Sequence, residues 1–546
     1  MQPITETAGK LGIPPGLVTA LGCDKAKIAL DALPAAEARR KTGRLILVSA
    51  ITPTPAGEGK TVTSIGLAQG LARLGKNAAL ALRQPSMGPV FGRKGGAAGG
   101  GKSTIEPSRD INLHFTGDFH AVTAANNLLA AVVDNQLHFG QTRLKPSGVL
   151  WKRVLDVNDR ALRHTHLAVG TAAGRASGFD ITAASEIMAI LCLAGSLQDL
   201  RARLDSIVVG FAPDGSPVRA AEFKVTGALL ALLRDALQPN LVCSAEGVPA
   251  FVHGGPFANI AHGCNSVLAT RMALAHADYA VTEAGFAFDL GGEKFIDIKC
   301  RAAGLNPAAI VLVATIRALK MHGGVPLDAL ATPAPEAVDA GLENLAQHIA
   351  AARSFDRPVT VALNHFPTDT EAEIGRVREF CSKAGVAFAV SDVFARGGAG
   401  GMELAQAVLE GLDAARTPTP PLEFTYTEDA PAPKKLAAIA HRFYGAEGVV
   451  LEPAAAERLS LFENAGYGAL PVCVAKTQNS LSDDPKKPGR PRNFKITVRD
   501  FELAAGAGFL VALTGQMVRM PALPRTPAAE QVDVDADGRI TGILGA

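Results

Sequence analysis

The chain has 546 residues, 48% of them hydrophobic and 19% charged, with a net charge of +2. That balance describes a globular protein with a large core and excludes the electrostatic footprint of a nucleic-acid or membrane-surface binder. The longest apolar runs, such as Ala308–Ala314, fall far short of the ~20 residues of a membrane span, and at about 150 residues per domain the length allows two to four domains.

The start, Met1-Gln2-Pro3-Ile4-Thr5-Glu6, has no basic stretch leading into an apolar one, so no signal peptide is expected. Leu45–Ile51 is a short apolar run of strand formers. Thr52-Pro53-Thr54-Pro55-Ala56-Gly57-Glu58-Gly59-Lys60-Thr61 follows, and then Leu67, Leu71 and Leu74 repeat at helical spacing. Strand, glycine loop and helix are what a phosphate cradle needs. Glycines let backbone N–H groups converge on an anion, the helix N-terminus adds its dipole, and a lysine brings a mobile charge. Thr61 is placed to put its hydroxyl on a nucleotide-bound magnesium. The usual phosphate-loop pattern wants glycine where this chain has Thr54. A literal match, Gly96-Ala97-Ala98-Gly99-Gly100-Gly101-Lys102-Ser103, lies further on. Context favours the first. Gly88 and Pro89 break the run before Gly96, Pro107 interrupts any helix after Ser103, and Asn112–Phe115 reads as extended. Gly57–Thr61 is therefore the expected nucleotide loop, and Gly95–Gly101 a flexible loop near the site.

Ala78–Leu82 reads as the next strand, and Arg83 leaves its end. Carboxyl ends of strands carry the ligands in doubly wound sheets, so Arg83 is expected to face the same crevice as Lys60. Asp110 and Asp118 flank His114, and either carboxylate could hold a cation, although a lone aspartate in a loop is more often a turn former or cap. His253 and His262 are nine apart with no third ligand, a poor metal site. Ser206–Gly210, Ala280–Thr282, Ile310–Ala314, Val359–Leu363 and Val386–Val390 are further candidate strands. Helical stretches such as Ala183–Ala194, Ala228–Ala236 and Ala372–Ala384 lie between them. This rhythm predicts an α/β fold of parallel strands with helices on both faces. Thr417–Pro421 reads as a boundary, Pro326–Pro335 as a weaker one, and Asp483–Asn493 as a loop. The seven cysteines are scattered, without a C-x-x-C pair, so neither a disulfide framework nor a zinc site is expected. Cytoplasm is the simple location.

Thr52–Thr61, Arg83–Pro89, Gly95–Gly101 with Asp110–Asp118, Gly254–Ser266, Thr282–Arg301, Lys320–Val325, Asn364–Glu373 and Ala475–Asp484 together resemble formate–tetrahydrofolate ligase, also called formyltetrahydrofolate synthetase. The phrases Asp110–Asp118 and Pro256–Ser266 are long and specific, and the likeness runs from about Lys25 to the C-terminus, which leaves no room for an added dehydrogenase domain. It implies a large phosphate-loop domain with a parallel or mixed sheet (residues 1–335), an α/β folate-side domain (336–420) and a C-terminal α/β domain (421–546).

The implied reaction joins formate to tetrahydrofolate at the expense of ATP, through formyl phosphate. The resemblance assigns Lys60 and Arg83 to catalysis, Thr54, Pro55, Ala56, Gly57, Glu58, Gly59, Lys60 and Thr61 to the ATP phosphates, and Thr61 to magnesium. Phe366 and Phe394 match the aromatic pair that sandwiches the pterin, although the residues alone suit two core phenylalanines better. Gln84 and Asp118 match the site of a monovalent cation, K+ or NH4+. A homotetramer is also implied. Departures fall near this presumed site: Gln84 for glutamate, Phe394 for tryptophan, Lys102 and Asn479 for tyrosine, Gln516 for aspartate and Ala399 for glutamate. The competing readings are a phosphate-loop ATPase or kinase on another small carboxylate, a non-catalytic ATP- or folate-binding paralogue, and a nicotinamide oxidoreductase, the last failing on its third glycine.

Overall fold

The computed structural model describes residues 3–39, 43–92, 98–169, 174–416 and 418–543. A twelve-stranded sheet organises it. In chain order its strands include β1 (Val18–Ala20), β2 (Ala26–Ile28), β3 (Arg44–Ala50), β4 (Ala78–Leu82) and β5 (Asn240–Ser244). They continue with β6 (Pro249–Val252), β7 (Tyr279–Glu283), β8 (Pro307–Ala314), β9 (Val359–Asn364) and β10 (Ala387–Ser391). Across the sheet the order is β1-β2-β5-β6-β4-β7-β3-β8-β9-β10, and a ribbon of Gly99–Gly100 and Ser103–Glu106 joins β5. From β6 to β10 every pairing is parallel, while β1, β2, β5 and β6 pair antiparallel.

Both faces of this sheet are covered, which is why its central strands are continuous apolar runs. Successive side chains of a strand point to opposite faces. Leu45 and Leu47 of β3 accordingly enter one core layer, and Ile46, Val48 and Ala50 the other. Helices α1 (Lys60–Arg73), α2 (Asp118–His138), α3 (Ile316–His322), α4 (Pro335–Arg353), α5 (Glu371–Lys383) and α6 (Gly398–Ala414) supply the cover. Ile65, Leu71, Leu404 and Val408 from α1 and α6 fill one layer, and Val122, Leu129, Leu345 and Ile349 from α2 and α4 the other. The expected α/β architecture is thus present, with antiparallel strands added at one edge.

Strands on both sides of residue 335 belong to this one sheet, and the chain leaves it after α6. A smaller sheet follows, built from β11 (Gly448–Leu451), β12 (Val472–Ala475), β13 (Lys495–Ala504) and β14 (Phe509–Thr514) in the order β11-β13-β14-β12.

As expected, no strand leads into Gly96 among the described residues: Met87–Phe91 is a short helix, with Pro89 in its first turn where no backbone donor is needed. One local expectation is corrected: Asn112 closes the helix Ser108–Asn112 instead of opening an extended run. Of the literal phosphate-loop match, Gly96 and Ala97 lie outside the described residues, as does Gly95. Ser103 opens a strand, so no helix N-terminus stands behind Lys102.

Glycines let α1 lie directly on α6. A Cβ on Gly70 would sit 2.6 Å from the Gly401 carbonyl oxygen, and one on Gly401 would sit 2.3 Å from that of Gly66. Gly70→Ala is expected to lower stability by about 1–3 kcal/mol through backbone displacement. Gly375→Ala, on α5 with open space at its Cβ, should instead raise stability by up to about 1 kcal/mol through helix propensity. Thermal or urea unfolding of the two variants checks both signs.

Candidate active site

The loop between β3 and α1 is shaped from within. Gly57 and Gly59 adopt φ of +87° and +72°, which only glycine takes without strain. Glu58 turns its carboxylate into the protein, where Oε1 accepts the Thr54 N–H at 2.6 Å and Oε2 accepts the Thr315 hydroxyl. Asn364, the last residue of β9, donates to the Glu58 carbonyl at 3.1 Å, and its amide lies where a Cβ on Gly59 would go. Glu58 therefore fixes the loop's shape from within, its carboxylate turned inward.

The base of the loop is pinned by the rest of the molecule. The Thr52 N–H donates to Nε2 of His348 at 3.0 Å, and Nε2 of His322 donates to the Thr52 carbonyl at 2.8 Å. Nδ1 of His322 accepts the Gly489 N–H at 3.0 Å, and Asn344 donates to the Gly489 carbonyl at 2.8 Å. Burial holds both histidines below their ordinary range, His348 to about 4. The neutral Nε2–H tautomer of His322 is the one that satisfies both of its bonds. A buried ion pair, Lys476 with Asp289 at 3.0 Å, also ties the C-terminal residues to the larger sheet.

One carboxylate organises the crevice itself. Glu283 ends β7, the strand beside β3, and its side chain is buried. Its Oε2 accepts the Thr61 hydroxyl at 2.8 Å, and its Oε1 lies 3.6 Å from Nη2 of Arg83. Arg83 also donates to the Pro256 carbonyl at 3.3 Å and covers Gly285, where a Cβ would stand 2.7 Å from Nη1. Lys60 is half-buried. Burial lowers its pKa from 10.5 to about 8, with Glu283 opposing the shift and Arg83 adding to it. Lys60, Thr61 and Arg83 thus converge as expected, and Glu283 is the partner that sequence reasoning missed. Its signal was available: an acidic residue closing the apolar run Tyr279–Thr282, in the position where phosphate-loop enzymes keep a magnesium-holding carboxylate. Thr61 and Glu283 fit a magnesium ion that takes most of its other ligands from phosphates and water.

The aromatic side lies on the next strands. Phe366 follows β9 and carries the Arg317 guanidinium 3.7 Å from its ring centroid. Phe394, in the short helix Val393–Arg396 after β10, is 59% exposed, so the core reading of this ring does not hold. Its carbonyl accepts the Lys102 N–H at 2.9 Å, and its ring closes on Gly100 of the glycine ribbon. Between the two rings, His365 and Asp392 approach to 3.7 Å.

Gln84 and Asp118 sit differently. Asp118 is buried and already balanced: Oδ1 pairs with Nζ of Lys27 at 2.6 Å, and Oδ2 accepts from Asn240 at 2.7 Å. Gln84 is buried with Oε1 unbonded, so the pair offers a monovalent cation one free neutral oxygen. Among the described residues no group of three or more His, Cys, Asp or Glu could hold a metal. His253 instead bonds Ser266 and the Ala236 carbonyl, and His262 is buried with its pKa lowered to about 3.

An ammonium with a pKa near 8 loses its proton as pH rises through that value. ATP affinity of the free protein should therefore be level below about pH 7 and fall roughly tenfold by pH 9.5, the loss of one charge-assisted bond. ATP titrations at stepped pH check this, and Lys60→Arg should flatten the profile.

The family model described as formate–tetrahydrofolate ligase matches residues 1–544, and the chain belongs to that family of ATP-dependent ligases, which form a C–N bond between formate and tetrahydrofolate.

Proposed function

We propose that the chain makes 10-formyltetrahydrofolate, ADP and phosphate from ATP, formate and tetrahydrofolate, with formyl phosphate as the intermediate. The observation that carries this reading is the meeting of Lys60, Thr61 and Arg83 around Glu283, beside two ring-bearing strand ends. Formate is a weak acylating agent. Its carboxylate oxygen attacks the γ-phosphorus, the bond to the β-bridging oxygen breaks, and ADP leaves with that electron pair. Such a step needs positioning and charge neutralisation more than covalent help. Loop N–H groups and Lys60 hold the nucleotide phosphates, and the planar fork of Arg83 suits the formate and phosphoryl oxygens.

Thr61 and Glu283 would hold magnesium, which when bound spreads the phosphate charge. N10 of the folate then attacks the formyl carbon, the C–O bond to phosphate breaks, and the phosphate leaves and takes up the N10 proton, with the pterin held against Phe366 and Phe394. Holding the partners together supplies much of the rate.

We further place the protein in the cytoplasm as a homotetramer, on the family resemblance. Among the described residues no helix is long and apolar enough to cross a membrane. The resemblance also implies activation by K+ or NH4+. Because Lys27 already balances Asp118 and Gln84 is neutral, we expect a weak response.

The test is 10-formyltetrahydrofolate production from ATP, formate and tetrahydrofolate, with and without potassium. Wild-type protein should form product at rates changing less than about twofold with potassium, and Lys60→Ala should lose roughly a hundredfold or more. ATP binding without product would favour a non-catalytic paralogue.

A further inference from the structure

Arg317 is the second residue of α3, on the opposite side of the loop from Arg83. It follows β8, which pairs with β3 on the flank away from β7. The Thr315 side chain caps α3 by accepting the Ala318 N–H at 3.0 Å and donates its hydroxyl to Glu58 of the loop. The helix start that carries Arg317 is therefore tied to the phosphate-loop backbone. The guanidinium sits over Phe366, with Cζ 3.7 Å from the ring centroid. It makes no hydrogen bond or ion pair to another described residue, and its Nε is buried without a partner.

An arginine kept only to brace a ring would normally spend its donors on nearby carbonyls, as Arg357 does with Pro307 and Pro420. Stacking fixes the plane of a guanidinium and leaves its N–H edge facing sideways, ready for an oxyanion. Across the sheet Arg317 lies between the loop on one side and the ring after β9 on the other. The tie of Thr315 to Glu58 puts the start of α3 against the phosphate-binding loop, the side from which phosphoryl oxygens would come.

We propose that Arg317 is a built-in charge-neutralising arginine for the γ-phosphoryl group, acting opposite Lys60 and Arg83. This rests on the ligase reading. As the formate oxygen bonds to the γ-phosphorus and the bridging bond to ADP breaks, charge spreads over the equatorial phosphoryl oxygens. Arg317 takes those on the β8 side and Arg83 those on the β7 side. Phe366 then has two tasks on its two faces: holding Arg317 and receiving the pterin.

The experiment is rapid-quench ADP formation from ATP and formate with tetrahydrofolate withheld, together with steady-state kcat and KM for each substrate. It compares wild type, Arg317→Ala, Arg317→Lys and Phe366→Leu, each with its melting temperature. Arg317→Ala should slow the ADP burst roughly a hundredfold or more, Arg317→Lys should recover part of it, and added guanidinium should partly rescue the alanine variant. The KM for tetrahydrofolate should change little in both Arg317 variants. Phe366→Leu, which removes the ring from both tasks, should raise that KM and also slow the burst, though by less than Arg317→Ala.

An unchanged burst in folded Arg317→Ala overturns the proposal. So does a defect confined to the KM for tetrahydrofolate, which would make Arg317 a brace for Phe366. Should the alanine variant fail to fold, Arg317→Lys with a full burst and no guanidinium effect overturns it. A wild type with no burst and no product overturns the ligase reading itself, a result distinct from any of these.

Discussion

The candidate site depends on one buried carboxylate. Taking Glu283 out of water costs several kcal/mol, a cost that cations and hydrogen bonds must offset. Here the offset comes from the Thr61 hydroxyl at 2.8 Å, Arg83 at 3.6 Å and the charge of Lys60. Lys60 and Thr61 reach the crevice from the start of α1 and Arg83 from the end of β4, so the carboxylate makes the relative positions of the two segments interdependent. Lys60 and Arg83 repel each other, and Glu283 is what allows both to point at the same volume. The same carboxylate with Thr61 forms a hard oxygen pair suited to magnesium.

The sheet order turns this constraint into a layout. Along the carboxyl edge the chain places Arg83 after β4, Glu283 at the end of β7, the glycine loop after β3, Arg317 at the start of α3 after β8, Phe366 after β9 and Phe394 after β10. Charged groups for phosphoryl chemistry occupy one half, and rings for a flat substrate occupy the other. Arg317 stands at the seam, bound to neither by hydrogen bonds and stacked on the first ring. Beneath the loop, Thr52 is gripped by His322 and His348, and His322 in turn holds Gly489 from the C-terminal residues. The smaller sheet therefore has a direct mechanical link to the base of the phosphate-binding loop.

Much of this was legible in the chain. The loop between β3 and α1 could be chosen over a more literal match because strand and helix flank it, and Ser103 indeed opens a strand. Arg83 could be placed because strand ends carry ligands. What escaped were partners supplied by residues far away in sequence. Glu58 reads as a loop residue facing a ligand, yet Thr315, 257 positions on, draws its carboxylate inward. Asp118 reads as a cation ligand, yet Lys27 from the antiparallel edge of the sheet neutralises it. Arg317 has no local pattern at all, and only the stacking on Phe366 brings it into view. Local motifs reveal the loop and strand ends; the electrostatic pairing of the site is a property of the fold.

The most direct measurement is the ADP burst from ATP and formate, without tetrahydrofolate, in Glu283→Gln against wild type. Glutamine keeps the size and the bond to Thr61 but removes the charge that reconciles Lys60 with Arg83. A burst slowed roughly a hundredfold or more in a folded variant is the result expected of this site. A burst equal to wild type would contradict it, because the carboxylate would then be a structural group beside the chemistry and not its organiser.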